Sequence, residues 1–222
     1  MKFLLYCICQ HDVDGPSLGP GIRVVTGHGL MAVVSGVEGP TAAPSVSSLL
    51  AYESVVEAIH ARQTVIPLRY GCLMESEEQI VQLLEDHRRE YEVLLGQLRG
   101  MTEMGIRLLW PPSAVPLLSL PHSPGAVYLA SLRNRYNSQV TPAPEKVLLA
   151  DRIVTLLAGW STEQRREVSS SHQGRLLSLY FLMPKSGADE FRKRVRKIST
   201  PLGVKLLLSG PWPPYNFVAS AA

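Results

Sequence analysis

Leu176-Leu177-Ser178-Leu179-Tyr180-Phe181-Leu182-Met183 decides the fold class, together with the two stretches after it. The quoted run is apolar and of strand length. In Ala188–Ser199, Phe191, Val195 and Ile198 recur at i, i+4 and i+7, the period of one helix face. Val204-Lys205-Leu206-Leu207-Leu208 returns to strand composition. Working outward, Val168–His172 reads as a hairpin partner for Leu176–Met183 across Gln173-Gly174, and Gly105–Trp110 as an earlier strand. Ala126–Ser138 and Glu145–Gly159 read as helical, after a proline-rich connection, Pro111–Pro124. The predicted order is β-α-β-β-α-β, the ferredoxin-like split motif.

The first half predicts a separate α+β domain with a small mixed or antiparallel sheet. Lys2–Cys9, Ile22–Thr26 and Leu30–Val37 read as strands, the last two joined at Gly27-His28-Gly29, where a tight hairpin needs positive φ. Ser45 or Ser47 suits an N-cap. Leu49, Leu50, Tyr52, Val56 and Ile59 then follow at near-helical spacing to about Ala61. Thr64–Tyr70 has β composition, and Pro67 within it argues for an edge strand or a bulge. Ser76 caps an expected long amphipathic helix over 76–99, with Ile80, Leu83, Leu84, His87, Tyr91, Leu94, Leu95 and Leu98 as its apolar stripe and His87 as a core residue. The fold class is thus α+β in two domains: 1–101, and 102–222 with a Pro-aromatic tail over 209–222.

That tail, Ser209-Gly210-Pro211-Trp212-Pro213-Pro214-Tyr215-Asn216-Phe217-Val218, holds three prolines in four positions, which fix φ and remove backbone donors. They are expected to end the strand. Trp212, Tyr215 and Phe217 supply large apolar area, either to cover the chain's own domain or to dock another protein.

Catalytic patterns do not emerge. The glycines of 15–21 precede no Lys-Ser or Lys-Thr, and no Gly-x-Ser-x-Gly occurs. The six histidines are scattered, and Cys7-Ile8-Cys9 has no second ligand pair, so no metal, cofactor or small-molecule substrate is expected. Cys7 and Cys9 read as small buried hydrophobes. Glu53 and Glu57 lie four apart on one helix face, which suits solvated surface or an acidic edge for a partner. Charged residues are 18% of the chain, below the usual quarter, which leaves apolar surface for partners. A formal charge of +3 is too slight to predict nucleic-acid or anionic-membrane binding by itself. The basic run Arg192–Lys197 keeps one alternative open, a nucleic-acid-binding module built on helix 188–199 and the second sheet. No signal-like opening and no run of about 18 apolar residues occurs, so the reading is of a soluble, cytosolic protein.

The strand followed by Gly210-Pro211-Trp212-Pro213-Pro214-Tyr215-x-Phe217 resembles the C-terminal signature of the gas vesicle protein F/L family (GvpF/GvpL). Phe3–Ile8 matches its opening strand, Leu50–Glu57 its helix motif, and Thr64–Gly71 its "VLPLRFG" strand. Glu103–Leu108 is similar to its "EWGVKV" strand and Gly125–Leu129 to its "G-x-x-YL". Tyr52 stands where the family usually has His, and Met104 where it has Trp. The resemblance implies a non-enzymatic minor component or assembly factor of the gas vesicle, within the cytoplasm. Its implied partners are the hydrophobic shell protein GvpA and other accessory gas vesicle proteins, with no nucleic acid and no lipid membrane. Expected contact residues are Trp212, Tyr215 and Phe217 of the tail, Val65, Pro67 and Arg69 of the edge strand, and the Glu53–Glu57 face.

Overall fold

The computed structural model describes residues 2–10, 19–37, 45–110, 144–171, 174–202 and 206–218. The connection Pro111–Pro124 and the expected helix Ala126–Ser138 lie outside the described residues. The chain is α+β and divides into two compact units. One gathers Met1–Met104, Leu182–Ala188 and Gly210–Ala222; the other gathers Gly105–Phe181 and Asp189–Ser209.

In the first unit, β1 (Lys2–Gln10), β2 (Ile22–Gly27), β3 (Leu30–Val37) and β4 (Ile66–Pro67) form an antiparallel sheet in the order β2-β3-β1-β4. A further short strand, β5 (Leu73–Met74), also pairs with β1 and went unread in the sequence. The β2–β3 turn has His28 at φ 55 and Gly29 at φ 81, the double positive φ that a two-residue hairpin uses. The β1–β3 register slips between Leu5 and Cys7, leaving Tyr6 as the extra residue of a bulge. Tyr6 thereby joins Cys7 and Cys9 in one core cluster with Met31 and Val33.

Helix α1 (Val46–His60) covers that cluster with Tyr52, Val56 and Ile59. Ser45 closes a capping box with Ser48, each side chain serving the other's backbone N–H. α2 (Glu77–Asp86) lies against β2 and β3, and α3 (Arg88–Gln97) against β1 and β4. Leu5, Ile8, Ala32 and Val34 are fully buried outside the α1 cluster, so helices cover both faces of the sheet. The single helix expected over 76–99 is therefore two, broken at His87, whose ψ of 13° leaves the helical range. His87 is not in the core: it is exposed, with Nδ1 3.3 Å from Glu90 and its ring beside Tyr91. Solvated partners suffice for it, and the buried stripe passes through Ile80, Leu84, Tyr91, Leu95 and Leu98 instead.

The second sheet has the order β7-β8-β6-β9, from β6 (Met101–Trp110), β7 (Glu163–Ser171), β8 (Gly174–Pro184) and β9 (Leu206–Trp212). Gly105 faces Ser209 while Thr102 reaches Trp212, so one strand's numbers rise as the other's fall, and β6 and β9 are antiparallel. In the second unit α4 (Pro144–Leu156) buries Ala150 and Ile153, and α5 (Ala188–Leu202) buries Phe191, Val195 and Ile198. The Phe181 and Phe191 rings meet at 5.2 Å. No helix among the described residues is long and apolar enough to cross a membrane.

Candidate contact surfaces

Helix α1 has an inner and an outer side that differ sharply. On the inner side the Tyr52 hydroxyl lies within hydrogen-bond reach of three carbonyls, at 2.9 Å from Leu5, 3.2 Å from Tyr6 and 2.9 Å from Leu68. One O–H donates to one of them at a time, so Tyr52 ties α1 to β1 and to the end of β4 together. Its ring stacks on Tyr6 at 4.8 Å and meets Tyr70 edge-on at 5.3 Å. Burial, then Tyr215 nearby, pushes its phenol ionisation far up, so it stays a neutral donor.

The outer side runs Val46, Leu50, Glu53 and Glu57, at i, i+4, i+7 and i+11. Leu49 and Leu50, which share the near-helical apolar spacing of the sequence, are exposed, Leu50 by 60% and Val46 beside them by 75%. The buried residues of the helix are instead Tyr52, Val56, Ile59 and His60. Glu53 is exposed and Glu57 half-buried. Partial burial, and then the Glu53 charge, raise the Glu57 carboxyl above its usual range.

In the expected edge strand only Ile66 and Pro67 are extended, pairing with Ile8 and Cys7. Val65 and Pro67 are buried and Arg69 is exposed. Pro67 has no donor, and β4 pairs on one side, as an edge strand with proline must.

The tail departs from expectation at its start, because β9 continues through Gly210-Pro211 to Trp212 and does not stop before the prolines. Pro211 sits on an edge strand, where a missing N–H breaks no ladder. Gly210 is at φ +101, and a Cβ there would meet the Glu103 carbonyl oxygen at 2.6 Å. Trp212 is half-buried, and its carbonyl accepts from Thr102 Oγ1 at 2.9 Å. Beyond it, Glu103, buried on β6, accepts from the Asn216 backbone N–H at 2.8 Å and from Asn216 Nδ2 at 2.6 Å. Phe217 is 5% exposed, and Tyr215 packs on the α1 cluster. The Tyr215 hydroxyl is buried with no hydrogen-bond partner among the described residues. Burial, and then Glu53, raise its phenol well above the usual range, with Glu57 and Glu103 adding to the shift. The structure thus brings Tyr215 close to Glu53 and Glu57, while Arg69 belongs to another part of the same unit. Sequence reading placed Glu103 in a family motif but gave it no role; its one local signal is that it is the single carboxylate of β6.

His60, 7% exposed, ends α1 with both ring nitrogens unpartnered among the described residues, and Lys185 Nζ donates to its carbonyl. Burial, then the Lys185 charge, lower its imidazole from 6.5 to about 4. On α5, Arg192 and Lys193 pair one turn back with Asp189 and Glu190. Among the described residues no group of three His, Cys, Asp or Glu side chains could hold a metal ion.

The family model for gas vesicle synthesis protein GvpL/GvpF matches residues 2–219. Curated relatives include gas vesicle protein L of a Streptomyces species, 24% identical over 77% of this chain and 68% of the relative. Gas vesicle protein F2 of Halobacterium salinarum is 21% identical over 93% and 84%. Among solved structures, GvpF of an Anabaena species superposes with a TM-score of 0.76, covering 98% of this chain and 95% of that one at 20% identity. GvpF of Microcystis aeruginosa gives 0.73, covering 98% of each at 17% identity. Both share this α+β fold. With the match running nearly end to end, the chain belongs to the gas vesicle GvpL/GvpF family.

Proposed function

We propose that this protein is a non-enzymatic accessory or minor component of gas vesicles. On this reading it binds the hydrophobic shell protein GvpA, and other accessory gas vesicle proteins, and assists nucleation of the vesicle in the cytoplasm. The family match over residues 2–219 carries the reading. The physical role follows from what a shell subunit must do. A protein that polymerises through apolar surface exposes that surface beforehand and is prone to aggregate. A partner that binds the exposed form holds it by mass action and favours ordered growth over collapse. The same proposal includes a domain division near residue 101 and a ferredoxin-like C-terminal domain, which the strand order β7-β8-β6-β9 supports. It also keeps the part-exposed tail residues Trp212 and Tyr215, with Arg69, Glu53 and Glu57, as the contact residues. Phe217, Val65 and Pro67 are buried and support those contacts from beneath.

The test is co-purification of GvpA with the wild-type chain and with Trp212→Ala/Tyr215→Ala, alongside flotation of cells lacking the gene. Lost flotation, with GvpA retained by the wild type and released by the variant, is the expected result. Normal flotation without the gene overturns the function. Unchanged GvpA retention by a folded variant removes the tail from the interface.

A further inference from the structure

The outer stripe of α1 combines two features that a self-contained surface helix avoids. Val46 and Leu50 place two large apolar side chains in water over its first turns, and Leu49, between this stripe and the inner face, is 39% exposed. One and two turns later, Glu53 and Glu57 stand together without a cation. Three other surface carboxylates of the unit have one: Glu75 meets Lys2 at 2.6 Å, Glu77 meets Arg23 at 3.3 Å, and Glu92 meets Arg88 at 2.8 Å. Among the described residues nothing pairs with Glu53 or Glu57, and like charges four apart on a helix repel. Partly buried Tyr215 adjoins them and presents no positive charge.

We propose that the outer stripe of α1 is a docking surface for a basic amphipathic helix of another protein. The occupant follows from charge complementarity. Its apolar side chains would cover Val46, Leu49 and Leu50, and Lys or Arg side chains one to two turns away would meet Glu53 and Glu57. Helix-on-helix packing brings ridges of side chains within such reach over four turns, which α1 provides. Apolar cover supplies the attraction, and the carboxylates select the sign and direction of the partner. The inference deepens the adhesion proposed above and rests on it for its biological setting.

The probe is a synthetic helical peptide with a leucine stripe and arginines one turn beyond it, compared with the same peptide carrying glutamate for arginine. Fluorescence anisotropy against the full-length protein reads the two affinities. The arginine peptide should bind about tenfold more tightly at moderate salt, with the advantage shrinking as salt rises. Glu53→Lys/Glu57→Lys should reverse the order, and Leu50→Asp should weaken both peptides. Leu50 and Glu53 are exposed and Glu57 is half-buried, and unchanged circular dichroism verifies that each variant folds. Equal affinities, or an arginine-peptide advantage that survives Glu53→Gln/Glu57→Gln, overturn the inference. So does sedimentation showing a second copy of this chain on the stripe, with Leu50→Asp restoring monomer. These outcomes leave the flotation result untouched, so failure of the stripe is distinguishable from failure of the gas vesicle function.

Discussion

The tail and the outer stripe of α1 lie in one compact unit, and each sets large apolar side chains beside carboxylates, yet they are finished differently. In the tail, Phe217 is buried and the Glu103 carboxylate takes two hydrogen bonds from Asn216. On α1, Leu50 stands in water, and Glu53 and Glu57 have no partner among the described residues. The difference teaches what burial demands of charge. A carboxylate inside a protein must be hydrogen-bonded, so Glu103 fixes the turn that bonds it. A carboxylate at the surface is satisfied by water and stays available. Tyr215 adjoins both systems, packed on the α1 cluster and close to Glu53.

Breaking the tail should produce the largest effect. Phe217→Ala removes a buried ring and should cost about 3–5 kcal/mol in urea unfolding. A loss of only a few tenths would mean that the tail is not packed in solution. Val46→Ala, on the stripe, should change stability by less than about 0.5 kcal/mol, and that contrast is the sharpest form of the comparison.

His60 tests whether the inner end of α1 is as closed as the tail. Folding holds its imidazole neutral down to about pH 4, whereas the unfolded chain takes up the proton near 6.5. The unfolded state binds more protons between those values, so stability rises with pH there. The contribution is complete above the higher value and lost as pH falls through the lower one. It amounts to on the order of 3 kcal/mol. Urea midpoints across that window should fall with acidity in the wild type, and His60→Leu should flatten that part of the slope. An unchanged slope would place His60 in contact with water.

Much of this architecture was legible in the residues, for identifiable reasons. Phe191, Val195 and Ile198 had a helix period and a core to fill, and all three are buried. Gly27-His28-Gly29 had the chemistry of its turn. The family signatures were legible because they lie in order along the chain. Periodicity misled where it could not see competition for space. Leu49 and Leu50 fit a helical stripe, but Tyr52, Val56 and Ile59 take the inner face and leave them outside. His87 fits the same kind of pattern, yet the helix breaks at it. The role of Glu103 was hidden for a different reason, because its partner Asn216 lies 113 positions away and no local spacing encodes that pair. The stripe on α1 was half legible. The sequence marked Glu53 and Glu57 as an acidic face, but only the fold sets the exposed leucines beside them.

The smallest effect is the most informative about α1. Glu57 is partly buried beside Glu53, and its raised carboxyl means that ionising it costs more in the folded chain than in the unfolded one. Removing that charge should therefore not weaken the fold. Glu57→Gln should stabilise it by a few tenths of a kcal/mol, about the size of a like-charge pair four apart on a helix, and the gain should fade in high salt. Since Glu57 ionises late as pH rises, the gain should be present at neutral pH and vanish once acid protonates the carboxyl. Thermal unfolding at neutral and acid pH, in low and high salt, reads both dependences. A destabilised variant would mean that Glu57 already has a cation within this chain, and α1 would then resemble the tail, with its charge settled internally. A stabilised variant that also loses the arginine peptide would show a carboxylate kept at the expense of its own fold for the sake of a partner.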